Sequence, residues 1–290
     1  MRNCLFIILL IIPVFFSSAE AQYESIMPRA LEEPKDNRQG EHEFIFIRAK
    51  YSNYINSRKV RFGGRGGGRG WGGGGGGGGG AYWWQADFDD ADRNLLRGVR
   101  RYTTLDTSSR SYKAMSLTDP ELFEYPFLYI NMKRDLLFSG NGPNFKPEEV
   151  EALLEYMLRG GFVMIDDFWG PEHWQEFQVE HRKIFPDRKL VRLDTGHTIF
   201  HCFFDIDKIT QVPGRGATWE FGWGFSLDDP EFPPAVYGVF DDNKRMMMLV
   251  NFNTDLGDGW EHTFDTGYPT RYCNEAYKLG INYIIYALSH

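Results

Sequence analysis

The fold is decided by residues 144–170, NFKPEEVEALLEYMLRGGFVMIDDFWG, which predict a helix, a glycine stop, a buried strand and an acidic loop. Gly160 and Gly161 end the helix, because glycine enters the left-handed region without a Cβ penalty. The run 162–165 is then apolar throughout, as expected for a strand that is covered on both faces. Five apolar residues give the preceding helix its 3.6-residue period: Val150, Leu153, Leu154, Met157 and Leu158.

The predicted strand ends at Asp166 and Asp167, and ligand sites in open α/β sheets lie just beyond such carboxyl ends. If both acids remain in the strand, their side chains point to opposite faces. One hypothesis makes Asp166, Asp167 and His173 a carboxylate–imidazole site for acid–base or metal chemistry. The alternative is structural: one aspartate caps the helix that begins near Pro171, and the histidines are hydrogen-bonded structural groups.

Strands and helices alternate along much of the chain, which predicts an α/β fold with a mostly parallel sheet and right-handed crossovers. Residues 236–240 and 246–251 flank a polar turn and predict a β-hairpin at the sheet edge. The other predicted strands are 43–50, 125–132, 189–193 and the β-leaning run 197–206, and the other predicted helices are 89–102, 171–185 and 274–288.

The N-terminal residues predict export. Arg2 precedes the apolar run 5–16, and Ala19-Glu20-Ala21 has the small residues of a signal cleavage site. We expect residues 1–21 to be a signal peptide, with an uncleaved membrane anchor as the alternative, and residues 22–42 to be a linker. The protein is therefore expected to be periplasmic or secreted, and to contact a membrane only through the signal segment if that segment is not cleaved.

Residues 63–80 contain only glycine apart from Arg65, Arg69 and Trp71. Such a segment loses much entropy on ordering and has nothing to bury, so we predict a disordered insert in a domain that spans residues 43–290. Arg-Gly-Gly tracts can bind RNA, but the net charge of −8 argues against a nucleic-acid partner.

Candidate ligand-binding residues lie at predicted strand ends or in the loops beside them. Arg48 ends the first strand, where it suits an anionic ligand or, equally well, a structural ion pair. Trp83 and Trp84 suit either stacking on a ligand or half-buried packing. The ligand-binding candidates are Arg48, Tyr51, Asp87, Asn141, Asp167 and Trp169.

The sequence predicts no metal site and no cofactor. His197 and His201 are four residues apart in a β-leaning run, which separates them by about 13 Å and disfavours shared ligation. Residues 255–261, DLGDGWE, resemble a calcium loop but lack the spacing of an EF-hand, so a solvated turn is expected there.

The cysteines leave two alternatives. Cys4 lies in the predicted signal peptide and is removed with it. In an oxidising compartment Cys202 and Cys273 can form a disulfide. Cys202 lies in an apolar run, which favours a buried free thiol instead.

Several blocks resemble, in order, a bacterial family catalogued as a domain of unknown function, number forty-one fifty-nine. The resemblance covers roughly residues 43–290, with the glycine tract as an insert. The blocks that carry it are FIFIRAKYSN, WWQADFDDADRNLLRGVRRYTTLDT, YPFLYINM, LEYMLRGGFVMIDDFWG and KLGINYIIYALSH.

This resemblance implies a place in the class I glutamine amidotransferase-like superfamily and a flavodoxin-like, three-layer fold. The superfamily's enzymes use a Cys nucleophile on a strand-to-helix elbow, with a His and a Glu before the last helix. Here Asp166-Asp167-Phe168 occupies the elbow position, although Trp260-Glu261-His262 precedes the last helix. Without a thiol there is no thiolate nucleophile at that position.

Two functions follow as hypotheses. The first is an exported, non-catalytic module of the cell envelope that binds a small ligand or an envelope protein. The alternative is a hydrolase that uses the carboxylates at the end of the central strand. The missing nucleophile favours the binding module.

Overall fold

The computed structural model describes residues 42–51, 83–132, 144–215 and 233–290. The predicted signal peptide, nearly all of the predicted linker and the glycine-rich insert lie outside these residues. The candidate residue Asn141 and the side chain of Trp83 lie outside them as well.

One mixed sheet forms the centre of the described domain. Its strands are β1 (Phe46–Lys50), β2 (Tyr112–Ser116), β3 (Phe127–Asn131), β4 (Phe162–Asp166), β5 (Val191–Arg192), β6 (Ala235–Phe240) and β7 (Met246–Phe252). In the described chain their order is β2-β1-β3-β4-β7-β6-β5. The pairings from β2 to β7 are parallel, and the pairings β7–β6 and β6–β5 are antiparallel. The predicted α/β fold, its mostly parallel sheet and its β6–β7 hairpin are therefore confirmed.

Helices cover both faces of the sheet. In the described residues they are α1 (Asp90–Tyr102), α2 (Pro147–Leu158), α3 (Gly170–Ile184), α4 (Leu256–Glu261) and α5 (Thr270–Ser289). Apolar residues of α1, α4 and α5 form the core on one face, and those of α2 and α3 form the core on the other. Among the described helices, none has both the length and the apolar character needed to cross a membrane.

The central stretch folds as its pattern predicts. Every residue of β4 is buried, so the continuous apolar run reflects cover on both faces. Gly160 has a φ of +110°, the left-handed conformation expected where α2 ends. A side chain at Gly161 would collide with the ring of Tyr156, which gives this second glycine a packing reason. Leu158 departs from the prediction, because it is exposed at the last turn of α2.

The prediction of a β-leaning run at residues 197–206 is wrong. Residues Thr198–Phe200 form a short 3-10 helix, and His197 Nδ1 accepts a hydrogen bond from Ile199 N. Asn282 of α5 donates to the carbonyls of Ile199 and Phe204 and accepts from Phe204 N. The side-chain amide therefore replaces the hydrogen bonds that a strand ladder would have supplied.

The strand register brings polar residues together at one edge. Arg48 of β1 lies beside Tyr129 of β3, and Asn131 lies beside Asp166 of β4. Because β7 runs parallel to β4, its own carboxyl end meets the same edge. This edge is where open α/β sheets place their ligands.

Candidate functional site

Backbone conformation marks this edge of the sheet. Asp87, Asp167 and Asn253 adopt φ values of +61°, +61° and +57°. Among described non-glycine residues a positive φ occurs elsewhere only at Lys244, in the β6–β7 turn. Asp and Asn tolerate the left-handed region better than most residues, and such positions concentrate at functional sites.

Arg48 is held in a buried ion pair. Its guanidinium contacts Asp92 of α1 through Nη2–Oδ1 at 2.7 Å and Nε–Oδ2 at 3.0 Å, and both side chains are fully buried. Arg48 Nη1 also donates to the carbonyl of Ala86 at 2.9 Å. Burial lowers the pKa of Arg48, but the carboxylate of Asp92 more than offsets this, so the pKa lies above its ordinary value. Of the two roles considered for Arg48, an anion-binding residue or a member of a structural ion pair, the structure shows the ion pair.

Asp166 fastens α4 to the sheet. Its Oδ2 accepts hydrogen bonds from Tyr129 Oη at 3.1 Å, Leu256 N at 2.9 Å and Gly257 N at 3.2 Å. The residue is fully buried, and its Oδ1 has no hydrogen-bond partner among the described residues. Burial and the neighbouring Asp167 raise the pKa of Asp166 to about 8, against the lowering effect of the three hydrogen bonds. We call Arg48, Asp92, Tyr129 and Asp166 the polar layer.

Asp167, Trp169 and His173 meet at the start of α3. Asp167 Oδ1 accepts a hydrogen bond from Trp169 Nε1 at 3.0 Å. The backbone N–H groups at the start of α3 do not bind an aspartate. Trp169 N donates to His173 Nδ1, and Gly170 N donates to Asn253 Oδ1. The predicted capping of this helix by an aspartate is therefore wrong, and a histidine and an asparagine take that role.

Asn131 connects the two sides of the edge. Its side-chain Nδ2 donates to Asp87 Oδ2 at 3.1 Å, while its carbonyl accepts from Tyr51 Oη at 2.7 Å. Burial and the charge of Asp167 raise the pKa of Tyr51 above its ordinary value. The candidates Tyr51, Asp87, Asp167 and Trp169 thus lie along one edge, with Asn131 between the first two.

Three buried carboxylates crowd the first turn of α4. Oxygen atoms of Asp87, Asp255 and Asp258 lie within 4.8 Å of one another, and the three residues are 6%, 1% and 6% exposed. Asp255 caps α4, since its Oδ1 accepts from Asp258 N at 2.8 Å. A Cβ at Gly257 would lie under 3.0 Å from Asp87 Oδ2, so glycine permits the close approach. We call Asp87, Asp255 and Asp258 the acid cluster. The solvated turn predicted here is wrong.

His262 flanks the acid cluster. Its Nε2 lies 3.6 Å from Asp258 Oδ1 and 3.2 Å from Glu261 Oε2. Burial lowers the pKa of His262, but hydrogen bonds and charge from Asp258 and Glu261 outweigh it and raise the pKa to about 9. His262 is therefore a cation at neutral pH.

The acid cluster suits a positively charged group. Carboxylate oxygens are the ligands that Ca²⁺ and Mg²⁺ prefer, and they also accept hydrogen bonds from amines. Like charges in a buried place destabilise one another unless a proton or a cation intervenes. The cluster lies where the sequence predicted no metal site.

The other residues considered in the sequence have packing or hydrogen-bonding roles in the fold. Cys202 and Cys273 do not form a disulfide with each other, and Cys202 is half-buried rather than buried as expected. His201 is hydrogen-bonded to Asp205 and to the carbonyl of Thr195, as expected for a structural histidine. Trp84 is buried edge-on against Phe88, which is the packing alternative.

Sequence reasoning did not single out four residues that build this edge: Asp92, Tyr129, Asn131 and Gly257. Asn131 carried a signal, because it is an amide near the end of an otherwise apolar strand. The pattern Asp255-Leu256-Gly257-Asp258 carried another, since it unites two acids and a small residue.

The comparison with family models matches residues 78–288 to the family described as Domain of unknown function (DUF4159). No curated protein matches the chain. The matched range contains α1 to α4, all of α5 but its last residue and, apart from β1, every strand of the described sheet. The chain belongs to the DUF4159 family.

Proposed function

We propose that this member of the DUF4159 family is an exported ligand-binding module of the cell envelope. Its acid cluster binds a positively charged group of the ligand, either a divalent cation or a protonated amine. Export rests on Arg2, the apolar run 5–16 and Ala19-Glu20-Ala21.

One observation carries the proposal: the buried carboxylates of Asp87, Asp255 and Asp258 lie within 4.8 Å of one another. Charge repulsion is strong at this separation away from water. A bound cation converts the repulsion into attraction and uses oxygen atoms that already converge. Asp87 stands in this cluster with a positive φ, so its backbone is shaped to bring its carboxylate there.

The strand order supports a place among glutamine amidotransferase-like proteins. The parallel strands follow the order β2-β1-β3-β4, which is the order of flavodoxin-like sheets. Asp166 ends the central strand, and Asp167 and Phe168 follow it without a cysteine. The thiol of Cys202 donates to the carbonyl of Asn282 instead. This arrangement supports a module without the cysteine nucleophile.

The surroundings of Asp166 argue against the hydrolase alternative. A general acid or base must lie within hydrogen-bonding reach of the substrate atom with which it exchanges a proton. Asp166 is fully buried, and its Oδ2 is engaged by Tyr129 and by two backbone N–H groups of α4. Burial and the neighbouring Asp167 account for its raised pKa. The hydrogen bonds of Asp166 hold α4 to the sheet, a structural role that needs no substrate.

Thermal unfolding with a panel of positively charged probes tests the proposal. The panel contains Mg²⁺, Ca²⁺, Mn²⁺ and small diamines. A probe at 100 times its Kd stabilises the native state by about 2.7 kcal/mol, so binding raises Tm. We expect at least one probe to do so.

Two matched variants locate the effect. Asp87→Asn keeps the acceptor for Asn131 Nδ2 but removes a charge, and we expect it to abolish most of the shift. Glu124→Gln removes an exposed acid outside the cluster and should respond like the wild type. The proposal is wrong if no probe raises Tm, or if Asp87→Asn and the wild type respond alike.

A further inference from the structure

A groove lined by arginines lies between α1 and the start of β2 and shares no residue with the acid cluster. It has a volume of about 510 Å³ and is lined by Arg93, Arg97, Ser109, Arg110 and Tyr112. We call these five residues the arginine groove. This size suits a small ligand.

Three guanidinium groups line this one groove in a protein whose net charge is −8. Arg93 and Arg97 stand one helical turn apart on α1, and Arg110 belongs to the turn that leads into β2. Two different segments of the chain therefore present guanidinium groups to the same space. A basic groove on an acidic protein favours an anionic ligand.

Intramolecular contacts hold two of the arginines in place. Arg93 Nη2 contacts Asp89 Oδ2 at 2.7 Å, and Arg93 Nη1 contacts Asp90 Oδ1 at 3.0 Å. Arg97 Nη1 donates to Asn94 Oδ1 at 2.8 Å, and Asn94 itself is anchored to the carbonyl of Trp260. Asp89 and Asp90 thus offset the charge of Arg93 and occupy both of its Nη atoms.

Arg110 differs from the other two. It is exposed, and its side chain makes no hydrogen bond or ion pair with the described residues. The adjacent Ser109 is buried at the side of the groove. Arg110 therefore brings a full positive charge and five donors to the groove.

We propose that the arginine groove binds a phosphate group carried by a small ligand or by a lipid headgroup. A phosphate has three or more oxygen atoms and about two charges, so it can accept forked hydrogen bonds from more than one guanidinium. A monovalent carboxylate would satisfy only one such fork. This site is separate from the acid cluster and does not depend on the function proposed for that cluster.

Calorimetric titration of the full chain with inorganic pyrophosphate tests the proposal, with potassium chloride at equal ionic strength as reference. We expect saturable binding that Arg110→Gln weakens about tenfold, the loss typical of a charge-assisted hydrogen bond. Arg97→Gln should weaken it similarly. Arg101→Gln is the matched control, because Arg101 lies on the same helix outside the groove.

A vesicle arm distinguishes the two sources of phosphate. Co-sedimentation with phosphatidylglycerol vesicles that Arg110→Gln abolishes and Arg101→Gln retains assigns the groove to a lipid headgroup. Pyrophosphate binding without vesicle binding assigns it to a small ligand. The proposal is overturned if neither probe binds, or if Arg101→Gln and Arg110→Gln weaken binding equally, since that pattern indicates general charge attraction.

Discussion

The polar layer and the acid cluster lie beside the same short helix, α4, but they differ in the groups that surround their acids. In the polar layer, Arg48 meets Asp92 at 2.7 Å and Asp166 receives three hydrogen bonds. In the acid cluster, carboxylates of Asp87 and Asp258 approach the carboxylate of Asp255. In the first region, buried polar groups hold α1 and α4 to the sheet. In the second, three buried acids converge, with the cationic His262 beside Asp258.

Under the proposed function, this difference separates acids that hold the fold together from acids that bind the ligand. An acid that holds backbone N–H groups contributes to folding, and its removal leaves buried donors without acceptors. An acid placed against other acids costs stability, and such groups concentrate at functional sites. Asp255 has both features, because it also accepts a hydrogen bond from Asp258 N. Position at the carboxyl edge alone does not distinguish the two, because Asp166 and Asp87 both have it.

The largest expected effect is in the polar layer. Arg48→Met leaves Asp92 as an uncompensated buried charge, so the free energy of unfolding should fall by about 3–5 kcal/mol. Urea unfolding measures the loss. The double variant Arg48→Met with Asp92→Leu removes both charges and should recover part of it. If the single variant costs under about 1 kcal/mol, the pair does not hold α1 to the sheet as described.

The next effect separates shape from charge at Asp166. Asp166→Ala removes the acceptor of Tyr129, Leu256 and Gly257, and should lower the free energy of unfolding by about 2–4 kcal/mol. Asp166→Asn retains an oxygen acceptor and should stay within about 1 kcal/mol of the wild type at pH 6. Equal losses in the two variants would contradict the attachment role.

Asp166 also predicts a pH dependence. Its pKa is about 8 in the folded protein against 3.8 ordinarily, so between these values the folded state holds a proton that the unfolded state has lost. Stability from this residue therefore decreases as pH rises from about 4 to 8, by at most about 1.4 kcal/mol per pH unit. Asp166→Asn should lack this decrease, and so gain relative to the wild type as pH rises. Parallel profiles from pH 5 to 8 would contradict the assignment.

The smallest stability effect is expected at the acid cluster. Gly257→Ala places a Cβ against Asp87 Oδ2 and should displace that carboxylate. The free energy of unfolding should change by only about 1 kcal/mol, because alanine's better helix propensity offsets part of the close contact. The Tm response to the positively charged probe should nevertheless shrink. An unchanged Tm response in Gly257→Ala would contradict the role of the Asp87 carboxylate in binding.

The fold was largely predictable, and the site only in part. Residues 144–170 predict α2 and β4 because the two signals are local properties of the chain. The helix shows a 3.6-residue apolar period, and the strand is a continuous apolar run. Strand β2 gave no such signal, because among its residues only Met115 is buried. The strand-like character predicted for residues 197–206 was wrong, because the hydrogen bonds that fold this run come from Asn282, which is distant in sequence.

The acid cluster could not be assembled from the sequence. Asp87 precedes α1 and Asp258 lies in α4, and no local sequence pattern predicts that these two segments are in contact. The same holds for Arg48, whose partner Asp92 is 44 residues away and in another element. Strand register and helix packing create these contacts, so sequence alone indicated the edge but not the group that forms on it.

The most direct test of the central claim compares Asp87→Asn with Asp166→Asn in a calorimetric titration with the cation or amine that stabilises the wild type most. Each variant loses one buried acid beside α4 and keeps an oxygen acceptor. We predict that Asp87→Asn weakens binding at least about tenfold, which corresponds to about 1.4 kcal/mol, while Asp166→Asn stays within about twofold of the wild type. Loss of binding in Asp166→Asn with full binding in Asp87→Asn would contradict it.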